Sequence, residues 1–146
     1  MDPQLKAYLQ KKIVWVREKP QDANRQATLG IAYAANGLWE QAREAFRNVE
    51  RLDPGQPLAA MYFAVATQEL GDLKEAIGLF RDLTIRFPDF APGHYRLGDA
   101  SLRAGDVAQA ETAFRRLIGL APEEWRGHAG LGDARLRRDG CAPDRA

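Results

Sequence analysis

The chain has 146 residues, with 21 basic against 20 acidic side chains, and its formal net charge of +1 excludes a nucleic-acid surface built on bulk charge. A hydrophobic content of 45% is ordinary for one folded domain. The single cysteine, Cys141, excludes an intramolecular disulfide and a thiolate metal cluster. The start, Met1-Asp2-Pro3-Gln4-Leu5, lacks the basic-then-apolar pattern of a signal peptide, and the run Ile13-Val14-Trp15-Val16 is far too short to cross a bilayer. A cytoplasmic protein without membrane insertion is the expectation.

In chain order, the first element is a helix from about Gln4 to Arg17, read as an N-terminal cap within 1–22. Apolar residues at spacings of three and four then predict a helix from about Asn24 to Asn36, stopped by Gly37. A second runs from Trp39 to Leu52 and is stopped by Asp53-Pro54, because proline has no amide donor and disfavours helix at the residue before it. The same plan recurs as Leu58 to Leu70, Gly71-Asp72, Leu73 to about Arg86, and Phe87-Pro88. It returns again as Pro92 to Ala104, Gly105-Asp106, Val107 to Leu120, and Ala121-Pro122. A last helix from about Arg126 to Arg138 precedes a tail, 140–146, of loop composition.

The recurrence is strict. Phe46, Phe80 and Phe114 are 34 residues apart, as are Ala42, Ala76 and Ala110, and Pro54, Pro88 and Pro122. Leu97-Gly98-Asp99-Ala100 returns as Leu131-Gly132-Asp133-Ala134. Each alanine lets two helices approach, and each phenylalanine fills the space beside it. Gly30, Ala64, Gly98 and Gly132 are assigned the same small-residue role on the first helix of each pair. A fixed period of this length marks stacked supersecondary units, none of which can bury both its faces alone. The units are placed at 23–56, 57–90 and 91–124, with 125–139 as a partial fourth or capping helix.

This pattern resembles the tetratricopeptide repeat: a large–small pair (Leu29-Gly30), an aromatic four residues after the large one (Tyr33), a turn glycine, then alanine, phenylalanine and proline. Thr67 and Ser101 replace the aromatic in the later repeats, and Gln26, His94 and His128 stand where the family has a leading tryptophan. The resemblance implies an all-α, right-handed superhelix of antiparallel helix pairs whose first helices line a concave groove for a peptide or protein. By family register the first repeat supplies Asn24, Ala27, Ile31 and Ala34 to that groove. The second supplies Leu58, Met61, Val65, Gln68 and Glu69, with Tyr62 beside them. The third supplies Tyr95, Arg96, Asp99, Leu102 and Arg103, and the last helix Arg126, Asp133 and Arg137. Met61, Val65 and Tyr95, with Ile31, are expected to project toward open surface. The family's lysine and asparagine clamp positions hold Ala27, Ile31, Tyr62 and Pro92, and only Arg96 survives, which argues against a chaperone-tail clamp.

His94 and His128, one repeat apart, are read as packing residues and not as metal ligands. Asp99 and Asp133 have no accompanying nucleophile or phosphate loop, so no catalytic residue, cofactor or metal is expected. Trp15, Trp39 and Trp125 are read as packing residues, and the arginines at 126, 135, 137, 138 and 145 as a solvated cluster. The functional expectation is a non-catalytic scaffold for a protein or peptide. The alternatives are self-association through the incomplete last repeat, or an interaction domain of a larger protein.

Overall fold

The computed structural model describes residues 1–140; Cys141, Arg145 and all of the expected tail except Gly140 lie outside the described residues. The described chain is helical, and it divides into two compact units, Met1–Asp72 and Leu73–Ala146. The boundary falls between the two helices of the second repeat.

The first unit holds α1 (Pro3–Glu18), α2 (Ala23–Ala35), α3 (Trp39–Leu52) and α4 (Pro57–Glu69). The Asp2 carboxylate accepts the Gln4 amide at 2.8 Å to start α1, and Asp22 accepts the Asn24 and Arg25 amides to start α2. Pro57 opens α4, where a missing amide hydrogen leaves no bond unmade. Gly37 closes α2 in the left-handed region, at φ +71°, and Gly71 follows α4 at +98°. The bonds Leu38 N–H to Tyr33 O and Gly37 N–H to Ala34 O then satisfy the last carbonyls of α2 in a Schellman arrangement. The core joins Ala42, Phe46, Val49 and Ala59, with Ala27, Tyr33 and Tyr62 packed against it. Phe46 stacks on Tyr62 with ring centres 5.0 Å apart.

The second unit holds α5 (Leu73–Arg86), α6 (Ala91–Ala104), α7 (Val107–Leu120) and α8 (Trp125–Arg138). Asp106 caps α7 through the Gln109 amide, and Glu124 caps α8 through the Arg126 amide. Its core joins Leu102, Ala110, Phe114, Leu117, Leu131 and Ala134. Four polar side chains stitch these helices together. Arg81 donates to Gln109 Oε1 at 2.7 Å, Gln109 donates to the Ser101 hydroxyl at 2.8 Å, and Ser101 donates to the Leu97 carbonyl at 2.6 Å. Glu111, buried, receives Arg115 from its own helix and Arg138 from α8, both at 3.0 Å.

The leading repeat positions have a hydrogen-bonding role that the sequence did not disclose. Gln26 donates to the Pro20 carbonyl at 3.3 Å, and the Nε2 atoms of His94 and His128 lie 2.8 Å from the Pro88 and Pro122 carbonyls. Each ties the start of a first helix to the proline loop before it, in the same register three times. The bond requires Nε2–H as donor, which sets the tautomer of the two neutral imidazoles.

One small-residue assignment is corrected. A Cβ on Gly30 would lie 2.9 Å from the Phe46 ring and one on Gly98 2.7 Å from the Phe114 ring, as the repeat logic requires, but Gly132 faces nothing within 4 Å. No helix follows α8 among the described residues, so the ring that Gly132 would receive is missing. Gly130 carries the close approach instead: a Cβ there would lie 2.4 Å from the Phe114 ring.

Candidate functional site

Within the second unit, α6 and α8 run side by side and enclose an open cleft of about 200 Å³ lined by Tyr95, Asp99, Leu102, Phe114, Trp125, Arg126, Ala129, Gly130 and Asp133. The cleft exists because Gly130 contributes no side chain above the Phe114 ring. Its floor is that ring and Leu102, and its walls are polar. Asp99 is paired with Arg103 at 3.2 Å and Asp133 with Arg137 at 3.3 Å, each one helical turn along. At the mouth, the Arg126 guanidinium lies 5.5 Å from the Tyr95 ring centre and 5.7 Å from that of Trp125. The cleft therefore brings together three residues of the predicted groove, Tyr95, Asp99 and Asp133, with Leu102 and Arg126 from the same register.

Three expectations for this face are corrected. Trp125 is not a packing residue, because 68% of its surface is exposed at the first turn of α8. Only the fold could show this, since a tryptophan after a proline loop reads equally well as a staple into the core. Arg137 is not free for a ligand: besides Asp133 it donates to the Leu102 carbonyl at 2.9 Å, satisfying the exposed end of α6. Arg138 is likewise held on Glu111 and does not simply float on a solvated face. Arg96 and Arg103 lie outside the cleft lining, with Arg96 5.8 Å from the Tyr95 ring centre.

In the first unit the predicted residues behave less uniformly. Asn24 and Ile31 are exposed on α2, and Gln68 is half-buried near the end of α4. Ala27 and Tyr62 face the core around Phe46. Met61 and Val65, expected on open surface, are buried, at 6% and 8% exposure. The reason lies in the composition of α4. From Ala59 to Ala66 it carries no polar side chain apart from the Tyr62 hydroxyl, and a helix that is apolar all round buries more than one face. The row of exposed apolar residues inferred from register is thus reduced here to Ile31, with Leu58 further along.

A second cavity of about 420 Å³ opens beside α1, lined by Leu9, Ile13, Tyr33, Leu38 and Gln41 among others. Burial pushes the Tyr33 phenol above its ordinary value, partly offset by the positive charge of Arg17. This gap is larger than the α6–α8 cleft, but it offers no charged group held over rings, so the cleft is the better candidate site.

Two models of the tetratricopeptide repeat match the chain, over residues 27–93 and 68–133. The chain belongs to the tetratricopeptide repeat family. Tetratricopeptide repeat protein 37 of Xenopus laevis is 28% identical over 87 residues, covering 60% of this chain and 6% of that protein, so the chain spans a small fraction of that relative's length. Among solved structures, MamA superposes with a TM-score of 0.82 at 20% identity, covering 94% of this chain and 80% of that one. The first TPR of Spaghetti (RPAP3), solved with an HSP90 peptide, gives a TM-score of 0.76 at 18% identity over 82% of this chain and 94% of that one. The Yersinia enterocolitica type III secretion chaperone SycD, solved with a peptide of the translocator YopD, gives 0.72 at 16% identity over 79% and 93%. These likenesses establish the fold. Among the described residues, no helix is long and apolar enough to cross a membrane.

Proposed function

We propose that this tetratricopeptide repeat chain is a non-catalytic scaffold that holds a segment of a partner protein on the faces of its first helices, with the α6–α8 cleft as the principal contact. The observation that carries the reading is the cleft itself: an apolar floor, an exposed tryptophan and a guanidinium held over aromatic rings. Such a combination of aromatic and arginine anchors is what concentrates binding energy at protein interfaces. Two structures of the same fold were solved with peptides, which supports the class of ligand. The carboxylates of Asp99 and Asp133 are each engaged by an arginine and serve to shape the cleft rather than to move protons. Self-association between the two ends is disfavoured by like charge, since α1 carries Lys6, Lys11, Lys12 and Arg17 and the last turn of α8 carries three arginines.

The test begins with a partner captured by the purified chain and identified by mass spectrometry. Trp125→Ala and Arg126→Ala should each weaken its binding by about 1 kcal/mol or more, with the melting temperature nearly unchanged. Lys74→Ala, on the exposed side of α5, should leave binding intact. An equal loss in the Lys74 variant, or a loss that follows only from unfolding, would place the interface elsewhere.

A further inference from the structure

We propose that Arg126, held over the Tyr95 and Trp125 rings at the mouth of the α6–α8 cleft, is the receptor for one carboxylate of the bound segment, an acidic side chain or a chain end. The proposal rests on the groove reading above and assigns the chemistry of its ligand.

The argument is an accounting of the positive charges around the cleft. Arg103 is engaged by Asp99 and Arg137 by Asp133 and the Leu102 carbonyl. Arg126 is different. Its nearest carboxylate, that of Glu124, lies 3.8 Å from Nε, beyond hydrogen-bond range, and Glu124 already accepts the Arg126 backbone amide as the cap of α8. A guanidinium resting on ring faces is attracted through its flat side, so its in-plane N–H groups stay free for a two-pronged acceptor. A carboxylate presents two parallel oxygens that match this fork, and the resulting bond is charge-assisted.

Two neighbours define the ligand further. Arg96 also lies over the Tyr95 ring and forms no ion pair among the described residues, so two guanidiniums share one ring without a carboxylate in hydrogen-bond range. That favours an anion and opposes an ammonium or guanidinium ligand. Asp99 and Asp133, deeper in the cleft, set the opposite limit: a second negative charge further in would face two carboxylates. The preferred segment therefore carries a single carboxylate at the mouth and an apolar side chain directed toward Leu102 and Phe114.

The measurement is a nuclear magnetic resonance titration of the full chain, following the indole N–H signal of Trp125. Four probes share one aryl group: N-acetylphenylalanine, its carboxamide, phenethylammonium and phenyl phosphate. N-acetylphenylalanine should shift the signal saturably at millimolar concentration, about tenfold more tightly than the carboxamide. Arg126→Gln should abolish that difference, Arg126→Lys should restore part of it, and Arg81→Gln should leave it intact. Equal binding of acid and amide, tighter binding of the ammonium or of the phosphate ester, or no saturable shift with the acid would each overturn the proposal. A captured partner that needs Trp125 but binds Arg126→Gln at full strength defeats the carboxylate and spares the groove. A partner indifferent to both residues defeats the groove itself.

Discussion

Phe46 in the first unit and Phe114 in the second stand at the same repeat position, but what each ring meets is different. Phe46 lies face to face with Tyr62, whereas Phe114 lies against Gly130, which holds the position equivalent to Tyr62 two repeats later. A tyrosine there fills the space above the ring and fastens α4 to α3. A glycine there brings the α8 backbone onto the ring and leaves the space above it as a cleft. The repeat scaffold is therefore indifferent to this position, and the residue chosen decides whether a unit spends it on packing or on a site.

The largest effects that can break this comparison come from the rings. Phe46→Ala and Phe114→Ala should each cost about 3–5 kcal/mol in urea unfolding, because both are fully buried at the centre of their clusters. The Phe46 variant should lose in addition the roughly 0.5–1.5 kcal/mol of its stack on Tyr62, so Tyr62→Ala should be less harmful in the Phe46→Ala background than in the parent. A loss below about 1 kcal/mol at either ring would mean that the two phenylalanines are not equivalent.

A smaller and sharper contrast lies between two glycines on one helix. Gly130→Ala should destabilise by about 1–3 kcal/mol, since its Cβ would press on the side of a ring that cannot swing away. Gly132→Ala should stabilise by up to about 1 kcal/mol, because the site is open and alanine is the better helix former. Equal effects in thermal melts would remove the distinction between the residue the repeat logic assigns and the one the fold uses.

The smallest effect concerns Tyr33 in the first unit. Burial raises its phenol, so the folded state favours the neutral form more than the unfolded chain does. That contribution is complete below about pH 10 and is lost as pH rises through the raised folded value. Stability measured from about pH 9 to about pH 11 should fall more steeply in the parent than in Tyr33→Phe. Parallel curves would show that the phenol titrates alike in both states.

Much of this structure was legible in the linear chain. Every helix lies within a residue or so of its expected bounds, from α2 at Ala23–Ala35 to α8 at Trp125–Arg138, because helix periodicity, proline stops and turn glycines act over a few neighbouring residues. The burial of Phe46, Phe80 and Phe114 was equally readable, since a strict period forces equivalent positions into equivalent surroundings. What escaped was set by neighbours far along the chain. The exposure of Trp125 and the capture of Arg137 by the Leu102 carbonyl, 35 residues away, depend on how α8 seats on α6 and α7. The burial of Met61 and Val65 against their groove register belongs to the same class. The sequence by itself determined the helices, their pairing and the rings at their centres, because those rest on local propensity and repetition. Only the tertiary structure decided which polar and aromatic groups remain open to a ligand, because exposure is a property of what packs alongside and not of the residue itself.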